Sequence, residues 1–243
     1  MVRLITLLLF FILSCSETLH TDLSISRFTT EKAKYDQYLI DRLNGFHRLT
    51  GMTVIDSSFG IVAIHGYYPP GWMTKGFEWV EPLINLSQRQ VPVWFFRHDW
   101  NQCAEESANH LHEELDLFLD QHSYLDSLWV IGHSLGGNIT ALLAEQWNLE
   151  FPITVHSIAA ALGGIDRPLA GCKKIKREKY IINSNVNFTQ WKTVQKQDGI
   201  FRNMDYDPQD VHIIGGRSVR LPQEWNNTRL GHNFSIVWVC NNI

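Results

Sequence analysis

The chain has 243 residues, of which 44% are hydrophobic and 12% aromatic, and its formal net charge is −4. This length and apolar content suit one α/β domain with a sizeable core. The weakly acidic balance gives no reason to expect nucleic acid as a partner.

The first residues have the pattern of an export signal. Arg3 precedes about ten mostly apolar residues that end at Leu13, a run too short for a membrane-spanning helix. The following Ser14-Cys15 completes a stretch that resembles a bacterial lipobox, although Ile12 stands where leucine is commonest. We expect residues 1–15 to be a signal peptide. It either leaves a lipidated Cys15 that anchors the protein to a membrane, or releases a secreted or periplasmic protein.

The segment that follows the signal carries no recognisable chemistry. Residues 16–52 are polar, and Thr30 ahead of Glu31 is a plausible helix cap, which predicts a helix over residues 29–40. We expect this segment to be a spacer or a packing helix, and residues 53–243 to form the enzyme-like domain.

A buried strand is predicted at Ile61–Ile64, and it ends in His65-Gly66 and a loop of aromatic residues, prolines and glycine. Loose helical periodicity follows over residues 74–90. A second strand is predicted at Val91–Arg97. The clearest helix spans Ala104–Gln121, because its apolar residues recur on one face.

The most informative stretch is Gly132-His133-Ser134-Leu135-Gly136. Four apolar residues precede it, and a helical pattern begins at Asn138. A Gly-x-Ser-x-Gly sequence between a strand and a helix is typical of a nucleophile elbow, where two small residues let the serine project from a strained turn. The alternative is a tight strand-to-helix connection with a capping serine.

This stretch resembles the elbow of the α/β-hydrolase superfamily, specifically its lipases and esterases, and the resemblance extends from about Ile61 to about Cys240. It implies an α/β-hydrolase fold, a mostly parallel central sheet with helices on both faces. It also implies an oxyanion hole formed by the backbone N–H groups of Tyr67 and Leu135. His65 has a structural role in that motif, and no cofactor is required.

The remaining predicted strands are Thr154–Leu162, Tyr180–Ser184 and Val211–Ile214. Near the end of the chain, Gly231-His232 precedes an apolar run, which is where the superfamily keeps its catalytic base. The order serine, acid, histidine therefore favours His232 over His212 as the base for Ser134.

The acid is harder to assign, because Asn187 occupies the position where an aspartate is expected after the strand Tyr180–Ser184. Asparagine can orient an imidazole but cannot stabilise imidazolium by charge. Asp198-Gly199-Ile200-Phe201 best matches the pattern at such positions, so we choose Asp198. The alternatives are four other aspartates, Asp166, Asp205, Asp207 and Asp210.

Three cysteines follow the signal, namely Cys103, Cys172 and Cys240. An odd number permits at most one intramolecular disulfide, and the sequence leaves the pair open. No histidine or cysteine spacing matches a metal site, so we expect no metal.

These features predict a serine hydrolase that cleaves carboxylic esters, either lipid or other acyl esters. Two alternatives stay open. Asn187 raises the possibility of a non-catalytic binding protein on the same scaffold. An acyltransferase would use the same nucleophile with an alcohol in place of water. The expected partners are a small-molecule or lipid ester and, through Cys15, a membrane.

Overall fold

The computed structural model describes residues 22–164, 171–172 and 176–243. The predicted signal with Cys15, and Asp166, lie outside the described residues. Across the described ranges, no helix has both the length and the apolar character needed to cross a membrane.

The strands run in chain order as β1 (Leu23–Ser24), β2 (Gly45–Thr50), β3 (Phe59–Ile64), β4 (Val93–Arg97), β5 (Ser127–His133), β6 (Ile153–Ile158), β7 (Lys179–Ile181), β8 (Val186–Lys192), β9 (His212–Ile214), β10 (Gly216–Arg220), β11 (Glu224–Trp225) and β12 (Thr228–Arg229). The α-helices are α1 (Val80–Ser87), α2 (Ala104–Gln121), α3 (Leu135–Gln146) and α4 (Phe234–Asn242).

The central sheet has eight strands in the order β1-β2-β4-β3-β5-β6-β8-β10. All neighbouring strands in it are parallel except the pair β2 and β4. The pairs β7–β9 and β11–β12 form two small separate sheets. The predicted mostly parallel sheet is therefore confirmed.

Helices cover both faces of this sheet. Side chains alternate along a strand, so Val62 and Ile64 of β3 face one core and Ile61 and Ala63 face the other. The first core includes residues of α2 and α3, and the second includes residues of α1 and α4. Burial on both faces explains the continuous apolar run in β3.

The segment before β3 differs from the prediction. No α-helix forms over residues 29–40, where the structure has only a 3₁₀ turn at Lys32–Lys34. Further along, β2 pairs antiparallel with β4, so the central sheet takes in residues that precede position 53.

Two predicted strands of the second half, 180–184 and 211–214, correspond to β7 and β9, but these lie outside the central sheet. The predicted strand at 180–184 overlaps β7, which among the described strands pairs with β9 alone, whereas the neighbour of β6 in the central sheet is β8. The alternation of polar and apolar residues in β8 hides its burial from sequence inspection. Likewise β9 is followed by β10, an exposed polar strand at the sheet edge.

One disulfide joins Cys103, immediately before α2, to Cys172, with the two Cα atoms 5.5 Å apart. Cys240 is a buried free thiol. The sequence had left this pairing open.

Candidate active site

Ser134 lies between the end of β5 and the start of α3, in a strained backbone conformation with φ 56° and ψ −118°. Few residues other than glycine adopt positive φ, and such strain concentrates at functional sites. A Cβ atom on Gly132 would lie 2.2 Å from the carbonyl oxygen of Gly136, so the turn excludes any larger residue there. The predicted elbow geometry is present.

The loop after β3 packs directly against the serine. A Cβ atom on Gly66 would lie 2.9 Å from the Cβ atom of Ser134 and 3.2 Å from the His133 carbonyl oxygen. Within the described ranges, the Tyr67 N–H has no acceptor. Leu135 is the first residue of α3, and N–H groups in a first helical turn have no intrahelical acceptor. Among the described residues, neither of the two N–H groups predicted for the oxyanion hole donates a hydrogen bond to a backbone carbonyl.

A stack of buried rings fixes this loop. The His65 Nδ1–H donates to the Gly66 carbonyl at 2.8 Å, and the His65 ring stacks on those of His98 and Tyr68. The His98 Nε2–H in turn donates to the His65 carbonyl at 2.9 Å. The Tyr68 hydroxyl donates to Glu78. Burial lowers the pKa of both histidines, so both rings are neutral and serve as hydrogen-bonding supports.

Asp198 and His232 meet although 34 residues separate them in the chain. The His232 Nδ1–H donates to the Asp198 Oδ2 at 3.0 Å, and Asp198 is fully buried. His232 keeps 9% of its surface exposed, and its Nε2 has no partner among the described residues. Imidazole held this way can take up a proton at Nε2.

Hydrogen bonds saturate the Asp198 carboxylate. Its Oδ1 accepts the N–H groups of Ile200 at 2.8 Å and Phe201 at 3.2 Å, and its Oδ2 also accepts the Thr193 hydroxyl at 2.6 Å. Burial opposes ionisation of Asp198, but the bonds from His232, Thr193 and the backbone outweigh it and lower the pKa. The carboxylate is therefore charged near neutral pH.

Thr193 is itself positioned by a buried amide. The Gln209 Oε1 accepts the Thr193 N–H at 2.8 Å, and the Gln209 side-chain amide donates to the Thr193 carbonyl at 3.0 Å. Gln190 donates to the Gln209 carbonyl at 2.6 Å. Both Thr193 and Gln209 are fully buried, so this chain of bonds leads from the sheet to the acid.

The backbone of His232 is tied to the elbow. The His133 Nε2–H donates to the His232 carbonyl at 3.1 Å, the two rings lie 4.8 Å apart, and Ser235 donates to the same carbonyl. Because His133 immediately precedes Ser134, this contact brings the base beside the nucleophile. Among the described residues, no hydrogen bond joins the Ser134 hydroxyl to the His232 ring.

The other candidate residues lie elsewhere. Asn187 is the exposed second residue of β8. It does not occupy the acid position, because the strand that it was expected to follow lies outside the central sheet. The acid position follows the carboxyl end of β8 instead, which is where parallel sheets build sites. Asp205 is exposed, and Asp207 and Asp210 pair with Arg220. His212 is exposed on β9.

Sequence inspection missed three supporting residues, His133, Thr193 and Glu78. Only His133 belongs to a motif, and there it occupies a position that admits many residues. No local pattern marks the other two, since each acts through a contact with a distant part of the chain. The described residues contain no group of three side chains able to hold a metal ion.

No protein-family model and no curated protein sequence matches the chain. Solved structures do resemble it. A poly(aspartic acid) hydrolase from Sphingomonas has a TM-score of 0.50 and 11% identity over 82% of this chain and 92% of its own. A poly(3-hydroxybutyrate) depolymerase from Bordetella parapertussis has a TM-score of 0.49 and 12% identity over 81% and 80%.

An α/β serine hydrolase from Xanthomonas campestris has a TM-score of 0.45 and 13% identity over 82% of this chain and 88% of its own. At these identities the likeness concerns the fold alone. Together with the mostly parallel sheet and the elbow after β5, the likeness to the Sphingomonas hydrolase, with its TM-score of 0.50, shows that the chain has the α/β-hydrolase fold predicted from the sequence.

Proposed function

We propose that this protein is a serine hydrolase that cleaves carboxylic esters. The observation that carries the proposal is the buried Asp198–His232 pair, held beside the strained elbow of Ser134. A serine hydroxyl is a weak nucleophile near neutral pH, and it needs a base that a third group orients. These three residues supply that set.

In acylation, the Ser134 oxygen attacks the ester carbonyl carbon while its proton passes to the His232 Nε2. The negative charge on the carbonyl oxygen is met by the N–H groups of Tyr67 and Leu135, which are fixed before the charge develops. Asp198 stabilises the imidazolium that forms. Imidazolium then protonates the leaving alcohol, and the acyl group stays on Ser134.

In deacylation, His232 takes a proton from water, and the resulting hydroxide attacks the acyl carbonyl. The acid is released, and the proton returns from His232 to Ser134. An acyltransferase would differ only in using an alcohol at this step. Product analysis in the presence of competing alcohols separates these outcomes.

An apolar substrate suits the surface around the loop that follows β3. Tyr67, Trp72 and Met73 expose 37%, 45% and 75% of their surfaces on this loop. Exposed apolar side chains close to a site favour contact with an apolar partner. We therefore include lipid and other acyl esters in the proposed substrate class.

The non-catalytic alternative depended on Asn187 as the partner of the histidine. Asn187 is an exposed residue at the start of β8, and Asp198 contacts His232 instead. The observation that motivated a binding protein is therefore absent from this site.

The test is hydrolysis of p-nitrophenyl esters of increasing chain length by the mature protein and by Ser134→Ala. We expect hydrolysis by the mature protein and its loss in the variant, and the preferred chain length reports the size of the acyl site. Equal rates for the two proteins, or no hydrolysis by either protein in its folded state, would contradict the proposal.

We also propose that the protein is exported, either anchored through a lipidated Cys15 or secreted. The disulfide between Cys103 and Cys172 supports this proposal, because disulfides persist in oxidising compartments. Incorporation of labelled palmitate into the expressed protein, and its loss in Cys15→Ser, would support the anchor. A soluble periplasmic protein without label would support plain secretion.

A further inference from the structure

A cavity of about 330 Å³ is lined in part by Asn233 and Phe234, the two residues that follow His232 in the chain. One wall comes from the loop after β3 and the start of α1, and the other from α4, which begins two residues after His232. Aromatic rings of Trp72, Phe77 and Phe234 line it. Glu78, which also lines the cavity, interacts electrostatically with His232.

The cavity also contains a carboxylate that has no lysine or arginine partner among the described residues. Glu78 lines the wall, is partly buried and accepts the Tyr68 hydroxyl, but within the described ranges it forms no ion pair with lysine or arginine. Lys32 and Glu81 lie at the exposed mouth, where their opposite charges offset one another. The inner charge of the cavity is therefore that of Glu78.

Burial raises the pKa of Glu78 to about 7, even though the Tyr68 hydroxyl and the nearby His232 favour its ionised form. A positive group in the cavity would favour ionisation further. Aromatic faces attract the same kind of group, because their π systems carry negative charge at the ring face. The Glu78 carboxylate and the aromatic rings of the cavity thus both favour a positively charged ligand.

We propose that this cavity binds a positively charged nitrogen, such as a quaternary ammonium, in the alcohol part of the ester substrate. The proposal rests on the hydrolase function above. His232 must reach the oxygen of the leaving alcohol, so the alcohol part lies on the His232 side, where Asn233 and Phe234 open into the cavity.

The experiment compares two esters of the same acid, choline butyrate and 3,3-dimethylbutyl butyrate. They have nearly the same shape, but a carbon replaces the charged nitrogen in the second. For the wild-type protein we expect kcat/KM to be roughly tenfold higher for the choline ester, the size of a partly desolvated cation–π and charge contact.

Two variants test the role of Glu78. In Glu78→Gln, which keeps the side-chain shape, the ratio of the two kcat/KM values should fall to about one. Glu113→Gln removes an equal charge from the exposed face of α2, and there the ratio should stay at the wild-type value. A preference that persists in Glu78→Gln would overturn the proposal.

The remaining outcomes separate this inference from the proposed function. Hydrolysis of both esters at equal kcat/KM by the wild type would overturn the cation site and leave the hydrolase intact. If neither ester is hydrolysed, the p-nitrophenyl ester assay with Ser134→Ala decides the hydrolase proposal, and a binding measurement decides whether the cavity takes a cation. Saturation-transfer NMR should then detect choline but not 3,3-dimethylbutanol on the wild-type protein, and equal signals would overturn the site.

Discussion

Adjacent strands supply one half of the proposed site, whereas distant loops supply the other. The nucleophile and the oxyanion loop follow β5 and β3, which pair directly, and the close approach of Gly66 to Ser134 fixes their spacing. The acid follows β8 of the central sheet and the base follows β12, and hydrogen bonds from a few side chains and backbone groups hold them. Packing and several rings support the first half, and the second depends on a few hydrogen bonds.

The largest expected effect comes from breaking the second half at the acid. Asp198→Asn keeps the volume of the side chain but removes the charge that stabilises the imidazolium of His232. We expect kcat/KM to fall about 10³–10⁴-fold, as expected for loss of a triad acid. Steady-state kinetics with a p-nitrophenyl ester measures it.

Asn187→Asp is the matched control, because it places a carboxylate at the position first expected to hold the acid. Asn187 is exposed and distant in the sheet register from the carboxyl end of β8. We expect wild-type activity in this variant, and no rescue of Asp198→Asn when the two are combined. Rescue would mean that Asn187 faces the base after all.

A change of shape tests the close packing that holds the first half together. In Gly66→Ala, the added methyl group would lie 2.9 Å from the Ser134 Cβ atom, so the oxyanion loop must move away. We expect kcat/KM to fall about 10²-fold, the cost of misplacing one oxyanion donor. Overpacking should also cost about 1–3 kcal/mol of unfolding free energy.

Gly199→Ala provides the control for this change, because a Cβ atom there would meet nothing within 4 Å. Thermal unfolding and kinetics of both variants separate steric displacement from a general effect of alanine. An unchanged kcat/KM in Gly66→Ala would show that the loop can shift without loss of the oxyanion donors.

The difference between the half of the site on adjacent strands and the half on distant loops also explains which residues the sequence could predict. The elbow is a local pattern, since Gly132, Ser134 and Gly136 must be near one another in the chain for the turn to form. The acid is not local. The stretch at 180–184, which begins with Tyr180, Ile181 and Ile182, suggested a strand and so placed Asn187 in the acid position. The structure instead puts β8, in which polar and apolar residues alternate, beside β6 in the central sheet.

Asp198 was chosen from its neighbours Gly199 and Ile200, and the structure brings it to His232. The partners of Asp198 and His232 were not predictable, because Thr193 and His133 act through contacts that no spacing reveals. Which strand pairs with which decides those contacts, and strand order depends on long-range packing more than on local composition.

A smaller effect should follow from removing the support of the acid. Thr193→Val has nearly the same shape but lacks the hydroxyl that donates to Asp198 at 2.6 Å. A hydrogen bond to a charged group contributes about 1.5–3 kcal/mol, so we expect kcat/KM to fall roughly tenfold or somewhat more. Thr193→Ser restores the donor and should recover most of the activity. Equal losses in both variants would indicate a packing role.

Acid stability offers a second measurement of the Thr193 bond. The pKa of Asp198 is lower in the folded protein than in the unfolded chain, where it is about 3.9. Asp198 therefore stabilises the folded protein at pH values above about 3.9, and this stabilisation is lost as the pH falls through the pKa of the folded state. Without the Thr193 hydroxyl the folded pKa rises, so Thr193→Val should lose stability at higher pH than the wild type. Urea unfolding between pH 7 and pH 3 measures this shift, and coincident profiles would contradict it.

The smallest effect tests whether the first half is redundantly held. Tyr68→Phe removes only the hydroxyl bond to Glu78 and keeps the ring that stacks on His65 at 5.3 Å. The Gly66 carbonyl keeps its bond from His65, and His98 still supports the His65 carbonyl. We therefore expect kcat/KM for a neutral ester to fall only about two- to threefold. A loss as large as that of Thr193→Val would mean that one hydrogen bond positions the oxyanion loop, and the two halves of the site would then be equally dependent on single contacts.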